Sequence, residues 1–77
     1  MPIVTVQLTR EGTEPGTDHV TTKQKAAVIE GISEVILKAL GKPLERTWVV
    51  IDEVPLENWG QGGLPVAEFR KRNTGAR

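Results

Sequence analysis

Few residues in this sequence are of a type that could catalyse a reaction, and the remaining candidate lies at the amino terminus. The chain has no cysteine and one histidine, His19, which excludes a thiolate nucleophile and leaves too few ligands for a zinc or copper site. Its one serine, Ser33, lies in the middle of a predicted helix, and no phosphate-binding loop or dinucleotide fingerprint is present. We therefore expect no metal and no cofactor.

Pro2 is the remaining candidate. Met1 precedes a small residue, so removal of the initiator methionine would leave Pro2 with a free secondary amine. An α-amino group has a pKa of about 7.7–8.0, and burial or a nearby arginine lowers it. A neutral amine can act as a general base that moves a proton between carbons. Alternatively, Pro2 merely begins a strand, where its missing N–H is harmless.

The elements that would position Pro2 follow from the hydrophobic pattern. Residues 3–8 alternate in polarity and predict a strand, and residues 9–20 are polar and predict a long loop. Residues 22–40 carry apolar side chains at helical spacing, after a capping box formed by Thr21 and Gln24. Gly41 and Pro43 end this helix.

A second β-branched strand is predicted at residues 46–54, followed by a glycine-rich turn or hairpin at residues 58–63. A strand, a long helix and a strand form a β-α-β unit with parallel strands. The expected fold class is thus α+β, with two parallel strands, one long helix and a C-terminal hairpin. We expect one domain at residues 1–69 and a basic flexible tail at residues 70–77.

Size and charge limit the partners. A chain of 77 residues has a small core, and both faces of its second strand are apolar, so we expect a homo-oligomer. All ten acidic residues lie within residues 1–69, whereas Arg70, Lys71, Arg72 and Arg77 lie in the tail. An acidic body does not favour nucleic acid. With no apolar run long enough to span a membrane and no signal peptide, the expected location is the cytoplasm.

Four segments together resemble one known family: the start at residues 1–4, the helix end at residues 40–44, the strand at residues 49–54 and the turn at residues 58–63. They resemble the 4-oxalocrotonate tautomerase family over about residues 2–69. The resemblance implies dimers of β-α-β subunits, usually three to a hexamer. It also implies an amino-terminal proline as general base for enol–keto tautomerisation of small unsaturated 2-hydroxy or 2-oxo acids.

The resemblance also implies substrate-binding residues. Trp59 takes the place of an aromatic residue that walls the proline pocket, and Arg10 is the candidate for a first arginine that binds a substrate carboxylate. Trp48 stands where the family has a second arginine. Arg46 lies two positions earlier, on the same predicted strand face, and is the candidate to replace it.

Several alternatives remain open at this stage. Arg46 could instead pair with Glu45 or Asp52 at the surface. His19 could approach the pocket of a neighbouring subunit or be a solvated loop residue. Relatives with a protonated proline catalyse hydration, dehalogenation or decarboxylation. If Met1 is retained, the chain would instead be a non-catalytic oligomeric scaffold. We expect loop 9–20, the main departure from the family, to set substrate specificity.

Overall fold

The computed structural model describes residues 1–74, in which an α+β fold is built on one β-α-β unit. Strand β1 (Ile3–Leu8) pairs in parallel with strand β2 (Trp48–Glu53), in a register that runs from Ile3 opposite Trp48 to Leu8 opposite Glu53. The expected parallel strands, long helix and C-terminal hairpin are confirmed. The elements in chain order are β1 (Ile3–Leu8), α1 (Thr22–Leu40), β2 (Trp48–Glu53), β3 (Gly60–Gln61), β4 (Leu64–Pro65) and α2 (Val66–Thr74).

Helix α1 begins and ends where its capping residues predict. The Thr21 hydroxyl accepts a hydrogen bond from the Gln24 amide at 3.1 Å, and the Gln24 side chain accepts one from the Thr21 amide at 3.0 Å. Gly41 adopts a left-handed conformation (φ 68°), and its N–H donates to the Leu37 carbonyl, which satisfies an otherwise unpaired end of the helix. A half-buried ion pair of 3.1 Å between Lys25 and Glu53 fastens the start of α1 to the end of β2.

The two faces of the strand pair differ sharply in exposure. Val4, Val6 and Leu8 of β1 lie half-buried on the same face as Val49 and Ile51 of β2, the face that α1 covers. The opposite face, here called the open face, consists of Ile3, Thr5 and Gln7 of β1 with Trp48, Val50 and Asp52 of β2. On it Ile3 is 61 % exposed, Trp48 59 % and Val50 47 %.

A single subunit buries very little apolar surface. Among the described residues only Val66 is fully buried, with 7 % of its surface exposed. The accessible surface is 6041 Å², whereas a folded monomer of this mass exposes about 4,600 Å². The radius of gyration is 16.0 Å, against about 11.5 Å for a compact domain of this length. A single chain therefore leaves much of its apolar surface uncovered.

Two features differ from the sequence prediction. Strand β2 begins at Trp48 rather than at residue 46, because residues Leu44–Arg46 form a 3₁₀ turn after Pro43. Helix α2 continues through Thr74, so residues 70–74 are helical where we expected a flexible tail. Arg77, the last basic residue of that tail, lies outside the described residues, and the domain boundary at residue 69 stays a prediction. No helix within residues 1–74 combines the length and the apolar character that a membrane span requires.

Candidate active site

Pro2 is held at the head of β1. It is half-buried, and its carbonyl oxygen accepts a hydrogen bond of 3.0 Å from the Trp48 amide, so the first residue of β2 fixes its backbone. Met1, in contrast, is 71 % exposed. A proline ring also has a fixed φ angle. Removal of Met1 would therefore leave an amine whose position is already set by the sheet.

Trp48 and Arg46 lie at the same end of the sheet as Pro2. The indole of Trp48 stands on the open face beside Ile3, its partner in the register. Arg46 precedes Trp48 by two residues, in the 3₁₀ turn. Its placement on the strand face was wrong, because the Arg46 amide donates to the Pro43 carbonyl at 3.0 Å and closes a turn instead.

Arg46 is free to meet an anion. Its side chain is exposed and makes no ion pair with any residue of the described part of the chain. Among residues 1–74, Arg46 forms no ion pair with Glu45 or with Asp52. The Asp52 carboxylate instead accepts a hydrogen bond of 3.2 Å from the Gln7 side chain. A guanidinium thus lies at the Pro2 end of the sheet without an internal counter-ion.

Arg10 and Trp59 lie at the opposite end of the sheet. The Trp59 indole N–H donates to the Val54 carbonyl at 3.2 Å, and the Val54 amide donates to the Leu8 carbonyl at 2.9 Å. Arg10 follows Leu8 by two residues. The six steps along the chain from Pro2 to Leu8 span about 20 Å of extended strand, far more than an arginine side chain can bridge. Within one subunit, neither Arg10 nor Trp59 reaches Pro2.

The carboxylate next to Arg10 is held by a residue that sequence reasoning had assigned to the tail. Arg70 of α2 binds both oxygens of Glu11, at 2.6 and 3.1 Å, and the Thr9 hydroxyl donates to the same carboxylate at 2.8 Å. The hydrogen bonds from Arg70 and then Thr9 lower the pKa of Glu11, and the Glu11 hydrogen bond raises the pKa of Arg70. No local pattern could have revealed this pair, because 59 positions separate its members.

The long loop is ordered by its own contacts. The Thr17 hydroxyl donates to the Glu14 carbonyl at 2.7 Å, and the Gln24 side chain of α1 donates to the Thr13 hydroxyl at 3.2 Å. A β-carbon at Gly12 would lie 2.6 Å from the His19 carbonyl oxygen, so only glycine lets the two arms of the loop approach so closely. The loop is therefore a shaped surface rather than a free linker.

His19 is exposed on this loop in the single chain, and its approach to the pocket of a neighbouring subunit stays a prediction. Its Nδ1 lies 2.9 Å from a carboxylate oxygen of Asp18, and more than half of its side chain is exposed. The His19 hydrogen bond lowers the pKa of Asp18. Within residues 1–74 no three His, Asp or Glu side chains converge in an arrangement that could hold a metal ion.

Comparison with known proteins agrees with the fold. A family model described as "Tautomerase enzyme" matches residues 2–69. The probable tautomerase K2 of Dickeya dadantii is 39% identical over 72 residues, which cover 94% of this chain and 97% of that protein. The 2-hydroxymuconate tautomerase of Pseudomonas putida is 46% identical over 49 residues, 64% of this chain and 78% of that enzyme. The crystal structure of DmpI from Helicobacter pylori superposes with a TM-score of 0.75 at 36% identity, covering 91% of this chain and 97% of that one.

Proposed function

The chain belongs to the tautomerase family of isomerases, and on that premise we propose that it interconverts the enol and keto forms of small unsaturated 2-hydroxy or 2-oxo acids, with Pro2 as the general base. The observation that carries the proposal is the position of Pro2. It is fixed at the head of β1 by the Trp48 amide, at 3.0 Å, and the family match begins at this residue. Met1, which precedes it, is exposed.

The chemistry needs only a neutral amine. The Pro2 nitrogen takes the proton from the 2-hydroxyl of the enol, and the resulting enolate carries its negative charge on the C2 oxygen and on carbon. The protonated amine then returns the same proton to carbon, and C2–O becomes a carbonyl. No electrons are transferred and no proton is lost, so the reaction needs no cofactor. A guanidinium beside the developing oxyanion lowers the barrier.

Arg46 is proposed for this electrostatic role. It is exposed at the Pro2 end and has no ion-pair partner within residues 1–74. Trp48, two residues further along the chain, has an exposed indole on the open face. An aromatic wall over the substrate excludes water, which disfavours the charged form of the Pro2 amine and strengthens the pull of Arg46 on the oxyanion.

Arg10 and Trp59 are proposed to serve the Pro2 of another subunit. The two lie at the far end of the sheet from the Pro2 of their own chain, yet they suit a carboxylate site with an apolar wall. A neighbouring copy can bring that end against Pro2. The apolar open face and the excess of exposed surface both require such a neighbour. We therefore propose a homo-oligomer based on dimers, with a hexamer as the expected state, working in the cytoplasm.

The experiment that tests the base is removal of the proline. The intact mass of the purified protein should be lower than that of the full chain by one methionine residue. Pro2→Ala should then lower kcat/KM for phenylenolpyruvate or 2-hydroxymuconate by about 10²-fold or more. Lys71→Ala, which removes an exposed side chain of α2 outside the proposed site, should remain close to wild type. Equal turnover by Pro2→Ala and wild type would reject Pro2 as the base.

The pH dependence separates this reaction from its relatives. A neutral Pro2 acting as base gives activity that rises with pH to a plateau as the amine loses its proton. A protonated proline, as hydration, dehalogenation or decarboxylation would need, gives activity that falls over the same range. A falling profile of kcat/KM would therefore replace the tautomerase proposal by one of these.

A further inference from the structure

Glu11, the residue after Arg10, has a carboxylate that is bound by Arg70 and by Thr9, the residue before Arg10. Glu11 accepts from both terminal nitrogens of Arg70, at 2.6 and 3.1 Å. It also accepts from the Thr9 hydroxyl at 2.8 Å. Thr9 and Glu11 flank Arg10 in the chain, and the Glu11 side chain ties this segment to helix α2 through Arg70. We call Arg70 with Glu11 the loop clamp.

The clamp leaves the Arg10 guanidinium available. Arg10 is exposed and has no hydrogen-bond or ion-pair partner among residues 1–74. The carboxylate adjacent to it in sequence is Glu11, which is occupied by Arg70. If Arg70 were absent, an anionic Glu11 beside Arg10 would compete with any substrate carboxylate for the same guanidinium.

We propose that Arg70 is a positioning residue for substrate binding: it holds Glu11 on α2, so that Arg10 is fixed at the start of loop 9–20 and stays free for a substrate carboxylate. This inference rests on the proposed role of Arg10. Arginine suits the task because its planar guanidinium binds both oxygens of a carboxylate at once, which lysine cannot do. The hydrogen bond from Arg70 lowers the pKa of Glu11, so the clamp stays ionised to a lower pH than an isolated glutamate would.

The first test does not depend on catalysis. Amide hydrogen exchange in residues 9–12 should speed up in Arg70→Ala relative to wild type, because the loop loses its tie to α2. Lys71→Ala is the matched control, since Lys71 is an exposed cation on the same helix and its loss changes the net charge equally. Exchange that is the same in Arg70→Ala and Lys71→Ala would overturn the clamp itself.

The second test measures the effect on substrate. Arg70→Ala should raise KM for phenylenolpyruvate about three- to tenfold while kcat changes less than about twofold, because the clamp acts on carboxylate binding. Lys71→Ala should leave KM unchanged, and Arg70→Lys should recover part of the loss. The double variant Arg70→Ala/Glu11→Gln should return KM towards wild type, because the competing charge is gone.

The outcomes distinguish this proposal from the proposed function. If Pro2→Ala retains full turnover, the catalytic proposal fails, while the exchange data still report on the clamp. If Arg10→Ala leaves KM unchanged, Arg10 does not bind substrate and the positioning role falls with it. If Arg10→Ala raises KM but Arg70→Ala does not, Arg10 acts without the clamp and the inference is wrong.

Discussion

The variants Pro2→Ala and Arg10→Ala, each impaired alone, should regain activity when they assemble into one oligomer. Pro2 and Arg10 lie at opposite ends of β1, and about 20 Å of extended chain separates Pro2 from Leu8. An Arg10 side chain cannot cover that distance within its own subunit. If both residues serve one site, each site must draw Pro2 from one copy and Arg10 from another. Pro2→Ala and Arg10→Ala subunits then carry complementary defects.

The size of the effect follows from counting sites. In an equal and random mixture, half of all sites have a wild-type Pro2, and half have a wild-type Arg10. When the two residues come from different copies, about one quarter of the sites have both. The mixture should therefore show about a quarter of the wild-type activity per subunit. If both residues of a site came from the same chain, every site would lack one of them.

The assay is straightforward. Equal amounts of the two variants are unfolded together in urea, refolded by dilution and compared with wild type treated in the same way, using phenylenolpyruvate well below KM. A mixture of Pro2→Ala with Lys71→Ala is the control, and it should reach about half of wild type, because only Pro2 is limiting. Activity of the first mixture equal to the mean of its two components would refute the shared site.

Three further predictions concern the scaffold. Gly12→Ala should lower the free energy of unfolding by about 1–3 kcal/mol, because its β-carbon would lie 2.6 Å from the loop backbone. Gly31→Ala in α1, where a β-carbon would meet nothing within 4 Å, should raise the free energy of unfolding by about 0.5–1 kcal/mol. Urea titration measures both changes. Val50→Asp, which places a charge on the apolar open face, should shift the protein to smaller species in size-exclusion chromatography with light scattering; an unchanged mass would place the interface elsewhere. The pKa of Glu11 in the folded protein lies below its ordinary 4.5. The Glu11–Arg70 salt bridge therefore stabilises the fold above pH 4.5, and this stabilisation is lost as the pH falls through the lowered pKa. The difference in urea midpoint between wild type and Glu11→Gln should disappear over the same pH range.

Local signals predicted the β-α-β unit well. Thr21, Gln24 and Gly41 bound α1 through hydrogen bonds within a few residues, so the sequence around them contains the whole cause. The parallel pairing of β1 and β2 was also predictable, because a long helix between two strands permits little else. The open face could be foreseen from the alternation of Trp48 and Val50 with their neighbours.

The positions of Arg46 and Arg70 were not predicted correctly from the sequence. Arg46 was placed on a strand because β-branched residues follow it, but Pro43 starts a tight turn whose hydrogen bonds remove it from β2. Arg70 was predicted to be a solvated tail residue, because its partner Glu11 lies 59 positions away in the sequence. The resemblance also gave a set of site residues without saying which copy supplies each. The predicted strand at residues 3–8 already put Pro2 and Arg10 at opposite ends, and the hydrogen bonds from Trp59 to Val54 and from Val54 to Leu8 added Trp59 to the Arg10 end.

The incomplete core and the divided site have one physical consequence. A subunit in which Val66 alone is buried among the described residues has a small core, so we expect association to supply much of its folding free energy. In the proposed arrangement, the same association brings Arg10 to a neighbouring Pro2. Helical content and activity should therefore decline together on dilution, at one characteristic concentration, because folding, assembly and site formation are a single equilibrium.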